Sequence, residues 1–280
     1  MAGAGMNGIK ARIKSVKSTM QITGAMELVA TSKLRRAKEK VERTRPFYET
    51  LKAAIDGVIA AAELTDSVYT KASDSDKTLY IVIAGDRGLA GGYNSNVFRL
   101  ASKLATDGDV ILPIGKKSCE HYRSKHLDTF GDGISSVAEL GVGDALALSD
   151  SITRGFLGGE YGRVVLVYTK FISMMTQSPV YEQLLPLEIG EAAGAAPSPE
   201  YDADPEEMLS AIVPRYVGGV LYSAVCESVA SESGARRSAM NAANKNAKEM
   251  IDDLMLRFNR ARQAIITQEI TEIVSGAEAL

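Results

Sequence analysis

Eight positions near the C-terminus, Met240, Asn244, Ala247, Ile251, Leu254, Phe258, Ala261 and Ile265, follow one another at spacings of 4, 3, 4, 3, 4, 3 and 4. Seven of the eight are apolar. Residues three and four apart share one face of a helix, and a 3.5-residue repeat keeps that face on its partner, so the pattern is a coiled-coil seam. No proline follows Pro214, and the last glycine is Gly276. A helix from about Glu206 to Ser275, even if bent at Pro214, is about 105 Å long at 1.5 Å per residue. That outruns the needs of a globular domain. Such a rod does mechanical, scaffolding or assembly work, and it needs a partner helix.

The N-terminal segment supplies one. Ile9, Ile13, Val16 and Met20 step by 4, 3 and 4. A shifted stripe follows at Ile22, Met26 and Val29, then Ala30, Leu34, Ala37 and Val41, and later Leu51, Ile55, Val58 and Ala62. That drift is what a roughly straight helix shows against a rigid heptad. Pro46 marks a local bend in a helix running from about Gly5 to Ala62. Charge supports the pairing: residues 1–60 carry 12 Lys+Arg against 5 Asp+Glu, whereas residues 200–280 carry 8 against 13. Opposite signs at the two ends favour association, although each exposed pair adds little.

Between the two helices the period changes. Leu79–Ala84 is a short apolar run followed by Gly85, the mark of a buried strand. A glycine-rich turn and a helix over Val97–Ala105 follow it. Then come a strand Val110–Ile114, a helix Lys116–Lys125, a helix Gly143–Leu157, and strands at Val164–Thr169 and Val180–Leu187. Strands alternating with helices predict a sheet with parallel pairs. The predicted fold class is therefore α/β plus a long antiparallel α-helical coiled coil formed by the N- and C-terminal helices. Its parts are an N-terminal helix (1–64), a central Rossmann-like α/β domain (77–189) hung on the side, a small-residue acidic linker (190–205) and a C-terminal helix (206–280).

Composition excludes several function classes. With two histidines, His121 and His126, and two cysteines, Cys119 and Cys226, no metal cluster is expected. The cysteines are read as free thiols in different structural units and a reducing compartment. No run of about 18 apolar residues predicts a membrane span. The N-terminus is basic without an apolar core, so no secretory signal is expected. The basic cluster Lys33, Arg35, Arg36, Lys38, Lys40, Arg43 and Arg45 lacks aromatics for base stacking in a chain of net charge −3, so nucleic acid is not the expected partner. A solvated helix face or an acidic protein partner suits it better.

The turn Gly85, Asp86, Arg87, Gly88, Gly91, Gly92 invites a phosphate-binding reading, because helix N-termini and free backbone N–H groups bind anions. Its spacing matches neither GxGxxG nor GxxxxGK[ST], and a structural turn is the expectation. There is no GxSxG, no HExxH and no Ser/His/Asp set that would act together.

Three stretches carry a specific resemblance: Ile9–Ala37 (IKARIKSVKSTMQITGAMELVATSKLRRA), the GDRGLAGGYN turn, and Ala230–Leu280, ending RQAIITQEITEIVSGAEAL. Together they resemble the gamma-subunit family of F-type ATP synthases over nearly the whole chain. A plain coiled-coil scaffold, or a nucleotide-binding enzyme with helical arms, has no need of those particular ends.

The resemblance implies the central rotor stalk of a rotary, proton-transporting ATP synthase, coupling ion flow through the membrane sector to ATP synthesis or hydrolysis. The implied partners are the alpha and beta subunits of the catalytic hexamer, the epsilon subunit and the membrane c-ring. The resemblance implies no direct membrane insertion. This chain would hold no catalytic site and no cofactor, the complex using Mg-ATP and ADP on alpha and beta. Rotor–stator contacts are implied at Met26, Lys33, Arg35, Arg36, Arg262, Gln263, Gln268, Thr271 and Glu272. At Met26 an added positive charge would be expected to disturb coupling. A bearing tip is implied at Ile265, Ile266, Ile270, Ile273 and Val274, where the apolar register shifts away from the seam. The cysteine-bearing insertion of photosynthetic relatives is absent, so thiol control of that kind is not expected. The favoured setting is the cytoplasmic face of a bacterial inner membrane, as a peripheral subunit.

Overall fold

The computed structural model describes residues 2–61, 67–71, 73, 75–124, 128–188 and 204–278. The expected linker over 190–205 lies outside the described residues except for its last two, as do residues 62–64 and His126. The elements in chain order are α1 (Ala2–Ala61), β1 (Thr78–Ile83), α2 (Tyr93–Leu104), β2 (Val110–Ile114), α3 (Lys116–Arg123), α4 (Val142–Leu157), β3 (Arg163–Phe171), β4 (Gln177–Leu185) and α5 (Pro205–Glu278). Contacts divide the chain into two compact units, Met1–Ala30 with Arg237–Leu280, and Thr31–Arg236.

The larger unit is built on a four-stranded sheet of order β2-β1-β3-β4. β1 pairs parallel with β2 and β3, as the alternation of elements predicts. β4 instead runs antiparallel to β3. Only residues 172–176 join those two strands, too few for the crossover that a parallel pair requires. β1 is buried at every position, which explains its unbroken apolar run: both faces of this strand are covered.

Alternation along β1 sorts the two cores. Tyr80 and Val82 pack with Val97 and Ala101 of α2 and Tyr122 of α3. Leu79, Ile81 and Ile83 face the other way, into a larger cluster with Ile152 and Phe156 of α4. The long helices enter that cluster through Ile55 and Val58 of α1 and Val213, Val217 and Leu221 of α5. The picture of an α/β domain hung beside its helices therefore needs correcting for this unit. Here the helices are one layer of the core. A Cβ on Gly218 of α5 would stand 2.9 Å from the Leu146 and Ser149 side chains of α4, so the close approach of those helices depends on that glycine.

Pro46 sits inside α1 and Pro214 inside α5, and neither ends its helix. Each lies among residues packed on the core, Tyr48, Leu51 and Ile55 in one case and Leu209, Val213 and Val217 in the other. Tertiary burial there outweighs the missing donor. α5 contains an 18-residue window of mean hydropathy 1.3, enough by length and composition to cross a membrane, yet 61% of it is buried inside the protein. Cys119 and Cys226 are both free and buried, and both belong to the larger unit rather than to different ones.

In the smaller unit α1 and α5 run antiparallel: Thr23 meets Asn244, while Glu27 reaches both Asn244 and Asn241. The inward positions of α5 are Met240, Asn244, Ala247, Ile251, Leu254, Phe258, Ala261 and Ile265, the stripe visible in the sequence. On α1 they are Ile9, Ile13, Val16, Met20, Thr23, Glu27 and Ala30, at spacings of 4, 3, 4, 3, 4 and 3. The expected drift does not occur. Ile22 and Val29 are 60% and 57% exposed, because polar Thr23 and Glu27 hold the seam where apolar residues were sought.

Candidate functional site

On α5 the seam ends at Ile265, the last of the described side chains along this helix that is partly buried. Beyond it Ile266, Ile270, Ile273 and Val274 are all exposed, Ile273 at 71%. Water-facing isoleucines spread over two turns are an apolar surface without a partner among the described residues. Arg262 and Gln263 are exposed just before this stretch. Gln268 Nε2 donates to Glu272 Oε1 at 2.9 Å, and the Thr271 hydroxyl to the Thr267 carbonyl at 2.8 Å. These polar side chains are held along the helix, one turn to the next. Met26 lies half-buried beside the α1 seam.

Lys33, Arg35 and Arg36 belong to the larger unit and are exposed on α1. Lys33, Arg36 and Lys40 rim a cavity of about 310 Å³ whose apolar wall includes Leu140, Val225, Cys226 and Val229. Arg45, further along the same basic stretch, stands 3.7 Å from Glu227, whose other oxygen accepts the Phe171 N–H at 3.1 Å. A segment carrying acidic groups beside apolar ones would match the cavity and its rim.

The glycine-rich turn is fastened on every side. Asp86 accepts from the N–H groups of Lys116, Val137 and Ala138 and from the Ser136 hydroxyl, at 3.0–3.3 Å. The Gly85 N–H donates to Asn94 Oδ1 at 2.8 Å. From α5, Arg236 donates to the carbonyls of Arg87 and Gly88 and pairs with Glu232. The Glu232 carboxylate lies where a Cβ on Gly85 would stand. Leu89, at φ +60° and 65% exposed, forms the crest of the turn beside Gly91 at φ +56°. Through these bonds the turn grips α5. The nearby Tyr93 hydroxyl donates to the Ser228 carbonyl at 3.1 Å, and burial drives its pKa far above the usual phenol range.

Among the described residues no group of three His, Cys, Asp or Glu side chains is placed to hold a metal ion. Sequence reasoning missed Asp86 as the pin of the turn, the Glu232–Arg236 clamp, and the polar contacts of Thr23 and Glu27. Only the last had a legible signal. Thr23 and Glu27 continue the 4, 3 spacing after Met20, and Asn244 is the one polar member of the α5 stripe.

A family model described as ATP synthase matches residues 5–280. The ATP synthase gamma chain of Ruminococcus albus is 47% identical over 282 residues, covering 98% of each chain. The protein named ATP synthase gamma chain, sodium ion specific, of Acetobacterium woodii is 40% identical, covering 97% of each. Among solved structures, a chain of the Euglena gracilis mitochondrial ATP synthase (OSCP/F1/c-ring, rotational state 3) matches with a TM-score of 0.70 at 19% identity, covering 99% of this chain and 95% of that one. A chain of the Tetrahymena thermophila mitochondrial ATP synthase central stalk/c-ring gives 0.60 at 24% identity, with 79% and 99% covered. At that identity the structures speak to the fold. Matched from end to end by the family model and by relatives well above 30% identity, the chain belongs to the ATP synthase gamma-chain family.

Proposed function

We propose that this chain is the central rotor shaft of an F-type ATP synthase, turning within the alpha/beta hexamer and coupling ion flow through the membrane sector to ATP synthesis or hydrolysis. Family membership supports the reading, and the change on α5 at Ile265 carries it. Up to that residue the helix packs on α1; beyond it the helix offers isoleucines outward. Apolar contacts are non-directional, so a surface made of them can turn against an apolar lining without sticking in one orientation. Ile265, Ile266, Ile270, Ile273 and Val274 form that bearing. Directional contacts belong where dwell positions are registered, and that role falls to Arg262, Gln263, Gln268, Thr271 and Glu272.

Lys33, Arg35 and Arg36, with the cavity they border, receive an acidic segment of the beta subunits, and Met26 lies where the shaft passes the ring. Epsilon and the c-ring are the partners of the larger unit. The chain contributes no catalytic site and no cofactor, the nucleotide and its magnesium being held by alpha and beta. It works as a peripheral subunit at the cytoplasmic face of a bacterial inner membrane.

Co-expression with the alpha and beta subunits tests this. The expected result is one native complex that hydrolyses ATP, while the chain alone neither binds nor hydrolyses nucleotide. Recovery of the chain free of both partners under native conditions would overturn the reading.

A further inference from the structure

At the end of the smaller unit bounded by Ala30 and Arg237 the seam becomes polar. Asn241 Nδ2 donates to Glu27 Oε1 at 3.1 Å, and Asn244 Nδ2 donates to Glu27 Oε2 at 2.9 Å. The Thr23 hydroxyl donates to Asn244 Oδ1. One carboxylate thus takes a donor on each oxygen from two residues three apart on the facing helix. The amide of Asn244 uses both its ends across the seam. Several neighbouring positions are small: a Cβ on Gly24 would lie 3.9 Å from Asn244 Nδ2, and Ala30 and Ala247 are buried, with Met240 the large buried side chain among them.

We propose that Thr23, Glu27, Asn241 and Asn244 form a shear pin, a directional cross-link that stops α1 and α5 from sliding along each other where the rest of the seam resists sliding least. Large knobs seated in holes oppose axial motion; alanine and glycine leave shallow holes and weak opposition. Dispersion contacts between flush surfaces change little over a small slide. Hydrogen bonds to a half-buried carboxylate do change, because lengthening them strands a charge and two amides. The two donors to Glu27 come from successive turns of α5, so the link also resists rotation of α1 about its own axis. Twisting or bending a helix pair requires its strands to shear, so a pin in the seam stiffens the pair against both. The inference concerns this chain alone and does not depend on the rotor reading.

Disulfide trapping in the purified full chain tests it, with products mapped by peptide mass spectrometry and the two buried native cysteines left in place. The pair M20C/A247C reports the observed alignment. M20C/A243C and M20C/I251C report slides of about one turn, roughly 5.4 Å, in either direction. In the otherwise native chain the aligned pair closes rapidly and the displaced pairs slowly. Adding E27A/N244A should raise the trapping rate of a displaced pair about tenfold, the factor expected for losing bonds to a charged group. Helix content should persist, since alanine is the better helix former. An unchanged displaced rate overturns the proposal. A second comparison separates bonding from volume and decides the matter if E27A/N244A loses helix. N244D sets carboxylate against carboxylate and should raise displaced trapping; N244D/E27Q restores a donor facing an acceptor and should return it to the native rate. A swap that fails to restore it also overturns the pin.

Discussion

The carboxylate of Glu232 on α5 occupies the space that a side chain on Gly85 would need, with its atoms 2.8 Å from the position of that missing Cβ. Arg236, one turn on, pairs with the same carboxylate and donates to the Gly88 carbonyl at 3.1 Å. The two side chains of the pair are each 12% exposed, so the contact is largely desolvated.

Gly85→Ala should therefore lower stability by about 1–3 kcal/mol, the usual cost of forcing extra volume into a packed site. Arg236→Ala should cost more, about 3 kcal/mol, because it leaves the Glu232 charge without its partner. The double variant E232A/R236A should lose less than Arg236→Ala alone. Denaturant unfolding of these three variants beside the parent checks this, and a double variant that loses as much as Arg236→Ala or more would mean that the pair is not the working unit.

The sequence was most legible where one pattern had one solution. The α5 stripe from Met240 to Ile265 turned inward as its heptad spacing required, and the apolar run of β1 became a strand covered on both faces. It misled where a side chain's partner lay far along the chain. Ile22 and Val29 fit a helical stripe on spacing alone, yet Thr23 and Glu27 took the seam because Asn241 and Asn244 were there to bond them. Likewise Asp86 sits in a turn that a glycine pattern marks, but its partners at Lys116 and 136–138 have no local signature. Periodicity reports which face is apolar; it does not report which polar groups meet.

Glu182 on β4 makes stability depend on pH. Burial raises its pKa, and Lys52 and Lys170 only partly oppose that. The folded protein thus holds this proton more tightly than the unfolded chain, whose carboxyl titrates near 4.3. The charged group costs stability above the raised pKa, and the cost fades as pH falls through it toward the unfolded value. Glu182→Gln should raise the melting temperature at pH 8 and leave it nearly unchanged at pH 4. An equal gain at both pH values would assign the effect to packing instead of charge.

Two apolar residues of α5 separate the core of the larger unit from the surface beyond the seam. Leu221 is fully buried, and Leu221→Ala should cost about 2–5 kcal/mol in the isolated chain. Ile270 is 56% exposed, and Ile270→Ala should shift stability by no more than about 0.5 kcal/mol. Rotation should respond in the other sense, because replacing Ile270 with aspartate puts a charge into the proposed apolar bearing. Ile270→Asp should leave the melting temperature of the chain unchanged and slow ATP-driven turnover of the reconstituted complex. Undiminished turnover would remove Ile270 from the bearing.

The polar contacts are tested on the same footing. Arg262 and Gln263 are exposed, so R262A/Q263A should keep the helix content and melting temperature of the parent chain. In the assembled complex the same substitutions should reduce coupled ATP synthesis several-fold, since hydrogen bonds to a charged group contribute about 1.5–3 kcal/mol when made. Met26 asks a different question because it lies half-buried beside the seam. A lysine there can carry its ammonium out to water along a flexible stem, so Met26→Lys should still assemble. Its charge would then stand at the surface of the shaft as it passes the ring, giving hydrolysis that continues while ion pumping falls. If Met26→Lys instead prevents assembly and the assembled fraction stays fully coupled, the residue serves the packing of the helix pair and not its passage through the ring.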